Sequence, residues 1–407
     1  MILFHSAAQL VTPLSSSRDA FLVLENGAIA CEGEKIIFVG PTEEALSMYK
    51  DAEKVDATGR VILPGFVDAH THLIFGGDRC SEFLMRLQGA TYQEIAAAGG
   101  GIRSTVQATR SATEDLLSEL AMAHLRTMQE YGATTVEIKS GYGLNWESEN
   151  KLLRVANKLK ETSDIAVTFL GAHDFPREKS RDAYMQELLA EMLPRVAESG
   201  LAEFCDVFCD DGYYTVEQAR ALSLRAKELG LKVKLHVDEL ADVQGAALAA
   251  EIGAVSADHL IFANEEGIRQ MADAGVTAVL LPGTSFSLKM RHHAPARKMI
   301  ELGVQVAVAT DFNPGTCYTH SIQFVMQLAA LLYGLSAEEA LRAATLHAAT
   351  AIDRQDRVGS LEVGKQMDCL IFDIPHYGYL LYNLGVNRLE TVVKKGKIAW
   401  SKKSKPS

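Results

Sequence analysis

Long apolar runs, cysteine and an excess of positive charge are what this chain of 407 residues lacks. No uninterrupted apolar stretch reaches the ~20 residues that a bilayer-spanning helix needs, and Met1 to Val11 has no basic segment followed by an apolar core. Membrane and export readings are therefore set aside. The six cysteines, Cys31, Cys80, Cys205, Cys209, Cys317 and Cys369, include no CxxC pair and are too few for a disulfide scaffold. A reducing cytoplasm is the expected setting, with Cys205 and Cys209 as inert thiols on one face of a strand. Basic residues number 40 against 52 acidic ones, a net charge of −12 that argues against a nucleic-acid partner. What is present is ordinary globular composition, 48% hydrophobic and 23% charged, which excludes disordered, collagen-like and coiled-coil chains. The length suits a large α/β domain with a smaller companion.

Both ends of the chain have a β texture. Phe21–Leu24 and Lys35–Val39 sit among glycines near the start, and Asp368–Phe372 and Thr391–Val393 lead to a Lys395-Gly396-Lys397 turn near the end. Residues 1–60 and 356–407 are expected to assemble one small β-sandwich domain, with a frayed lysine-rich tail at Lys402–Ser407. Between them, short apolar runs alternate with helical stretches such as Glu114–Tyr131, Asn150–Glu161 and Val216–Leu229. The runs number eight: Val61–Val67, Thr134–Ile138, Ala166–Leu170, Phe204–Phe208, Lys232–Val237, Ala254–Leu260, Thr277–Leu281 and Val304–Thr310. Alternating strand and helix implies parallel strands, and eight repeats point to a (β/α)8 barrel over residues 61–355. A doubly wound open sheet is the alternative, but no glycine-rich dinucleotide fingerprint follows the first strand.

A barrel places its chemistry at the C-terminal ends of its strands. The first run ends Asp68-Ala69-His70-Thr71-His72, where alternation puts Asp68, His70 and His72 on one side. The fifth run carries His236 to the barrel mouth, and the eighth ends in Asp311. Three imidazoles and one carboxylate suit a single divalent cation with room left for water, zinc and ferrous iron fitting equally. A single histidine carries little weight; four donors at the same end of three strands carry the metal reading. Two-metal barrel hydrolases often use a carboxylated lysine at the end of strand four, and Phe204–Asp210 contains none, so one metal is expected. His259, ending the sixth run, reads as a hydrogen-bonding or proton-relay group behind the ligands.

The motifs Pro64-Gly-Phe-Val-Asp-Ala-His-Thr-His72 and Ala309-Thr-Asp-Phe-Asn-Pro-Gly315 resemble the amidohydrolase superfamily. The resemblance narrows to the imidazolonepropionase family of histidine degradation. Carrying it are Phe75-Gly-Gly-Asp-Arg79, Ala90-Thr-Tyr-Gln-Glu-Ile95, Gly99-Gly-Gly-Ile102, Val136-Glu-Ile-Lys-Ser-Gly-Tyr-Gly-Leu144, Gly171-Ala-His173, Ser256-Ala-Asp-His259 and Ala294-Pro-Ala-Arg297. They span nearly the whole chain in the family's order. Val237 and Asp174 depart from the pattern, where a small residue and an alanine are expected.

The resemblance implies a hydrolase that opens the ring of 4-imidazolone-5-propanoate to N-formimidoyl-L-glutamate. It puts the metal on His70, His72, His236 and Asp311, and substrate contacts on Arg79, Tyr142, His173, Glu239, Asn313, Gly315 and Thr316. It is also compatible with a homodimer. Chemistry supports these roles: a guanidinium clamps a carboxylate through two hydrogen bonds, and flanking glycines let a loop expose the Tyr142 phenol. A bound cation would lower the pKa of a water from about 15.7 toward about 7. Glu239 is the expected base, with Asp311 a ligand of secondary base character, while His173 and His259 steady charge or relay a proton. Two other readings stay open on the residues: the same chemistry on another cyclic amide or an amino-heterocycle, and a non-catalytic barrel scaffold.

Overall fold

The computed structural model describes residues 1–17, 19–90, 94 and 100–402. Most of the Ala90–Ile95 motif, Gly99 and most of the tail lie outside the described residues. Eight parallel strands run in spatial order as in sequence: β6 (Phe66–Asp68), β7 (Ala133–Lys139), β8 (Asp164–Ala172), β9 (Phe204–Cys209), β10 (Lys232–Val237), β11 (Ser256–His259), β12 (Thr277–Leu280) and β13 (Val306–Val308). Their residues are almost all buried, as in parallel sheets covered on both faces. The seam between β13 and β6 closes just beyond the strand ends. There Thr71 and Phe312 form a parallel bridge, His72 N–H donates to the Phe312 carbonyl (2.9 Å) and Asp311 N–H to the His70 carbonyl (3.0 Å). Asp68 reinforces the seam, accepting from the backbone N–H (3.0 Å) and hydroxyl (2.6 Å) of Thr310. The expected (β/α)8 barrel is borne out.

Helices cover the barrel's outside, and their starts were written into the sequence. Thr113, Asn145 and Thr215 each accept from a backbone N–H of the first turn of helices Glu114–Glu130, Trp146–Leu159 and Val216–Glu228, and Gln218 completes a capping box. Leu117, Ala121, Leu125 and Met128, at helical spacing, turn inward as one stripe.

One expected strand is two. The run Val61–Val67 breaks at Gly65: β5 (Val61–Pro64) pairs with terminal strands, and only Phe66–Asp68 joins the barrel. A Cβ at Gly65 would lie 2.2 Å from Thr134 Oγ1, so the chain can cross between sheets here only as glycine. The terminal sheet is mixed and drawn from both chain ends. Its order is β16 (Lys397–Ser401), β15 (Leu389–Lys394), β14 (Cys369–Phe372), β5, β1 (Ile2–Pro13), β2 (Phe21–Glu32), β3 (Lys35–Pro41), with β4 (Glu53–Asp56) also on β1. A bulge between Phe4 and Ala7 lets the two halves of β1 take different neighbours, β4 and then β5. A Lys35–Gln366 bridge folds the β3 edge back toward β14, around a separate core of Phe4, Leu10, Ile29, Ile36, Met367 and Ile371. Among the described residues no helix is long and apolar enough to cross a membrane.

Candidate metal centre and active site

His70 and His72 leave the end of β6, His236 ends one residue short of the tip of β10, and Asp311 follows β13. Their donor atoms converge. His72 Nε2 lies 3.3 Å from His70 Nε2 and 3.4 Å from His236 Nε2, and Asp311 Oδ1 is 3.6 Å from the Nε2 of both His70 and His72. These are the separations of ligand atoms sharing one cation at about 2.0–2.2 Å, and among the described residues the three histidines form a metal-capable group. The His70 tautomer follows from its partner. Asp258 Oδ2, 2.6 Å from Nδ1, can only accept, so the ring proton sits on Nδ1 and the Nε2 lone pair faces the centre. Burial, with neighbouring positive charge adding to it, holds all three imidazoles well below their ordinary pKa and hence neutral, the form that ligates. Among the described residues, His72 Nδ1 and His236 Nδ1 have no hydrogen-bond partner. The donor set fits a divalent cation.

A cavity of about 590 Å³ opens onto this cluster. Arg79, Tyr142, His173, Glu239, Asn313 and Thr316 line it together with His72, His236, His259 and Asp311. Gly315 is not among its lining residues and lies beneath Arg79, where a Cβ would sit 2.0 Å from Nη1. Arg79 Nε donates to Glu82 (2.8 Å), and among the described residues the terminal nitrogens of the guanidinium make no hydrogen bond. Asn313 spends its amide on its own loop: its oxygen accepts from Gly315 N–H and Thr316 N–H (2.8 Å each), and its nitrogen donates to the Asp311 carbonyl (2.7 Å). His173 Nδ1 meets the Gly141 carbonyl at 3.1 Å, so the proton is on Nδ1 and Nε2 accepts. His259 Nε2 lies 3.5 Å from Glu239 Oε2.

A family model for the amidohydrolase family matches residues 61–399. Imidazolonepropionase of Geobacillus sp. strain WCH70 is 48% identical over 98% of this chain and 97% of its own, and that of Alkaliphilus metalliredigens is 45% identical over 98% of both. The chain belongs to the imidazolonepropionases of the amidohydrolase family. Among solved structures, a zinc-complexed atrazine chlorohydrolase from Arthrobacter aurescens covers 98% of this chain and 95% of its own at a TM-score of 0.71; at 20% identity it speaks for the fold alone.

Several features of this imidazolonepropionase-family site escaped the sequence reading. Glu149, buried in helix Trp146–Leu159, accepts from the backbone N–H groups of Gly141 (3.0 Å), Gly143 (2.7 Å) and Leu144 (2.9 Å) and so holds the loop that presents Tyr142. Asp210 does the same for the Glu239 loop, accepting from Glu239 N–H (2.6 Å) and Leu240 N–H (3.0 Å). Arg86 brings a second guanidinium to the cavity and donates to the Gly315 carbonyl (2.9 Å). A clue existed for Glu149, one of two acids (with Glu147) shortly after the Gly141-Tyr142-Gly143 loop, but nothing local ties it rather than Glu147 to that loop. Beneath the imidazoles lies a sealed layer of Glu137, Lys139, Asp206, Lys234 and Asp258. Lys234 was legible, since alternation puts it on the same face as His236.

Electrostatics divides the remaining groups. Burial, reinforced by the charges of Asp311 and Asp210, holds the Glu239 carboxyl well above its usual range. Burial lifts Asp311 to about 7 and lowers His173 and His259 to about 4. Burial also raises the Tyr142 phenol, which therefore stays a proton donor. Asp238, His259 and Asp311 hold left-handed backbone (φ +53°, +75° and +49°), a conformation that costs non-glycine residues about 1–3 kcal/mol and clusters at functional sites.

Proposed function

We propose that the chain opens the ring of 4-imidazolone-5-propanoate by adding water, giving N-formimidoyl-L-glutamate. The observation that carries this reading is the convergence of His70, His72, His236 and Asp311 beside a cavity whose wall bears Arg79, in a chain related along its whole length to imidazolonepropionases. Those four residues would hold one divalent cation, zinc or iron. When bound, such a cation supplies Lewis acidity, polarising a carbonyl oxygen and acidifying water.

The remaining steps belong to the chain's own groups. Arg79 binds the propionate through its terminal nitrogens, held in place by Glu82 and by the glycine beneath it. Tyr142 and neutral His173 orient the ring. Glu239, raised by burial and steadied by His259, takes a proton from the attacking water. It returns that proton to the ring nitrogen as the carbon–nitrogen bond breaks, so the carbonyl carbon gains the hydroxyl and the nitrogen gains the hydrogen. Asn313, Gly315 and Thr316, in the loop against Arg79, supply the remaining substrate contacts of this reading. Six cysteines without a disulfide suit the reducing cytoplasm in which we place the reaction.

The test is ring opening by the purified protein loaded with zinc or ferrous iron, followed as loss of the substrate's ultraviolet absorbance. Metal-dependent turnover is expected, and loss of activity in the chelated protein. Release of ammonia from an amino-heterocycle in place of ring opening would overturn the substrate, and no turnover with either metal would overturn the enzyme.

A further inference from the structure

Five charged side chains from four strands form the layer behind the metal-capable imidazoles. Glu137 and Lys139 come from β7, Asp206 from β9, Lys234 from β10 and Asp258 from β11, and every one is fully buried. Lys139 Nζ lies 2.7 Å from Asp206 Oδ2, 3.0 Å from Glu137 Oε1 and 3.4 Å from Asp258 Oδ2. Lys234 Nζ donates to Glu137 (2.8 Å) and to the Ala69 carbonyl (3.1 Å). The two lysines differ in one respect. Lys139 touches both carboxylates that meet imidazoles, Asp258 at 2.6 Å from His70 Nδ1 and Asp206 at 3.0 Å from His236 Nδ1. Lys234 touches neither.

A sealed layer of this kind gains nothing in stability over well-packed apolar side chains, because desolvating the charges offsets their attraction. Its presence calls for another role. Asp206, His236 and Asp258 offer three ligand atoms within 4.8 Å of one another, a second grouping with the chemistry to draw a cation. The Lys139 ammonium stands against both of its carboxylates.

We infer that Lys139 is a positioning residue that acts as a built-in cation: it pins Asp258, which accepts from His70 Nδ1 and so turns the His70 Nε2 lone pair toward the metal, and it holds Asp206 beside the His236 ring. The inference rests on the proposed reading that these imidazoles hold a metal. With one ammonium hydrogen-bonded to Asp206 (2.7 Å) and 3.4 Å from Asp258, neither carboxylate can rotate away from its imidazole without giving up an ion-pair contact with Lys139. Groups behind metal ligands typically govern 10–100-fold in metal affinity.

The test compares two matched substitutions, Lys139→Met and Lys234→Met, in the zinc-loaded protein. Both remove a fully buried ammonium from the same layer. Zinc affinity is read by competition with a chelator, thermal stability of the metal-free proteins by melting, and the ring protons by nitrogen NMR of histidine-labelled protein. Lys139→Met is expected to weaken zinc about 10–100-fold and to lose the Nδ1–H signature of His70, while Lys234→Met stays within about threefold despite a comparable drop in melting temperature. If Lys139→Met does not fold, Lys139→Met/Glu137→Gln, which keeps the layer's net charge, is compared with Lys234→Met/Glu137→Gln by the same measurements. Equal loss of zinc affinity in the two lysine variants, or none in either, overturns the inference. Failure of the unaltered protein to hold one zinc per chain overturns instead the metal reading beneath it.

Discussion

Glu239 and Arg79 face each other's chemistry across one cavity, and each answers to a different kinetic constant. A buried carboxyl held well above its usual pKa is suited to carry a proton between water and a leaving nitrogen. Glu239→Gln keeps the shape and the Asp210-anchored backbone but cannot exchange that proton. It is expected to lower kcat by about 10²–10⁴-fold with metal content unchanged; near-normal kcat at full occupancy would remove Glu239 from the proton path. Arg79 acts on binding. Losing a charge-assisted hydrogen-bond pair costs about 1.5–3 kcal/mol, or about 10–100-fold in affinity. Arg79→Ala should therefore raise KM by that factor with a much smaller change in kcat, and a ring analogue lacking the propionate should be turned over alike by both proteins. If the analogue also distinguishes them, the guanidinium serves something other than the carboxylate.

At the scale of elements, the site is a set of loops held from behind by buried carboxylates. Glu149 is the clearest, a single side chain answering three backbone N–H groups of the Tyr142 loop. The fit is close: a Cβ on Gly143 would lie 2.5 Å from Glu149 N and 2.7 Å from its Oε1. Gly143→Ala is expected to destabilise the fold by about 1–3 kcal/mol and to weaken substrate binding by displacing Tyr142. A crystal structure showing the loop unmoved, with unchanged KM, would refute that link. Here the limits of sequence reading have physical causes. The strands, their helices and the four metal-facing donors were legible because periodicity and strand-end position are local properties. The break at Gly65 had a local signal in the Pro64-Gly65 dipeptide, masked by the apolar run around it, whereas the demand for glycine comes from the approach of Thr134, far along the chain. The charged layer was hidden for the same reason: Lys139 is intelligible only beside Asp206 and Asp258, which arrive from other strands. Asn313 and Gly315, read as substrate contacts, also shape the loop that carries Thr316 and supports Arg79, a role that only their hydrogen bonds and packing reveal.

Across the whole molecule, the end of the barrel opposite the site is joined by ion pairs to the chain's return into the terminal sheet. Asp164, at the start of β8, accepts from Arg357 (2.8 Å) and Gln366 (2.9 Å), and Glu203, just before β9, accepts from Arg354 and from Lys160 (3.2 Å). Burial works against both carboxylates. Even so, Gln366 and the Arg357 charge hold Asp164 below its usual range, and the Arg354 guanidinium holds Glu203 below its own. A carboxylate depressed in the folded state stabilises above its unfolded pKa, about 3.9 for Asp and 4.3 for Glu, and loses that contribution as pH falls through the lower folded value. The junction therefore adds stability at neutral pH that fades only below about pH 4, at about 0.5–1 kcal/mol per partly exposed pair. An Asp164→Asn/Glu203→Gln variant should melt below the parent protein at pH 7, and the gap should narrow on titration to pH 3.5 and shrink further in 1 M salt, where screening acts over about 3 Å. A gap that persists undiminished from pH 7 to pH 3.5 would mean that these side chains serve packing alone. The distance of this junction from the metal centre supplies the discriminating readout: zinc affinity at pH 7 should be the same in the variant and the parent, because the strand ends that carry the ligands are closed by their own seam, through Asp68, Thr310, Thr71 and Phe312.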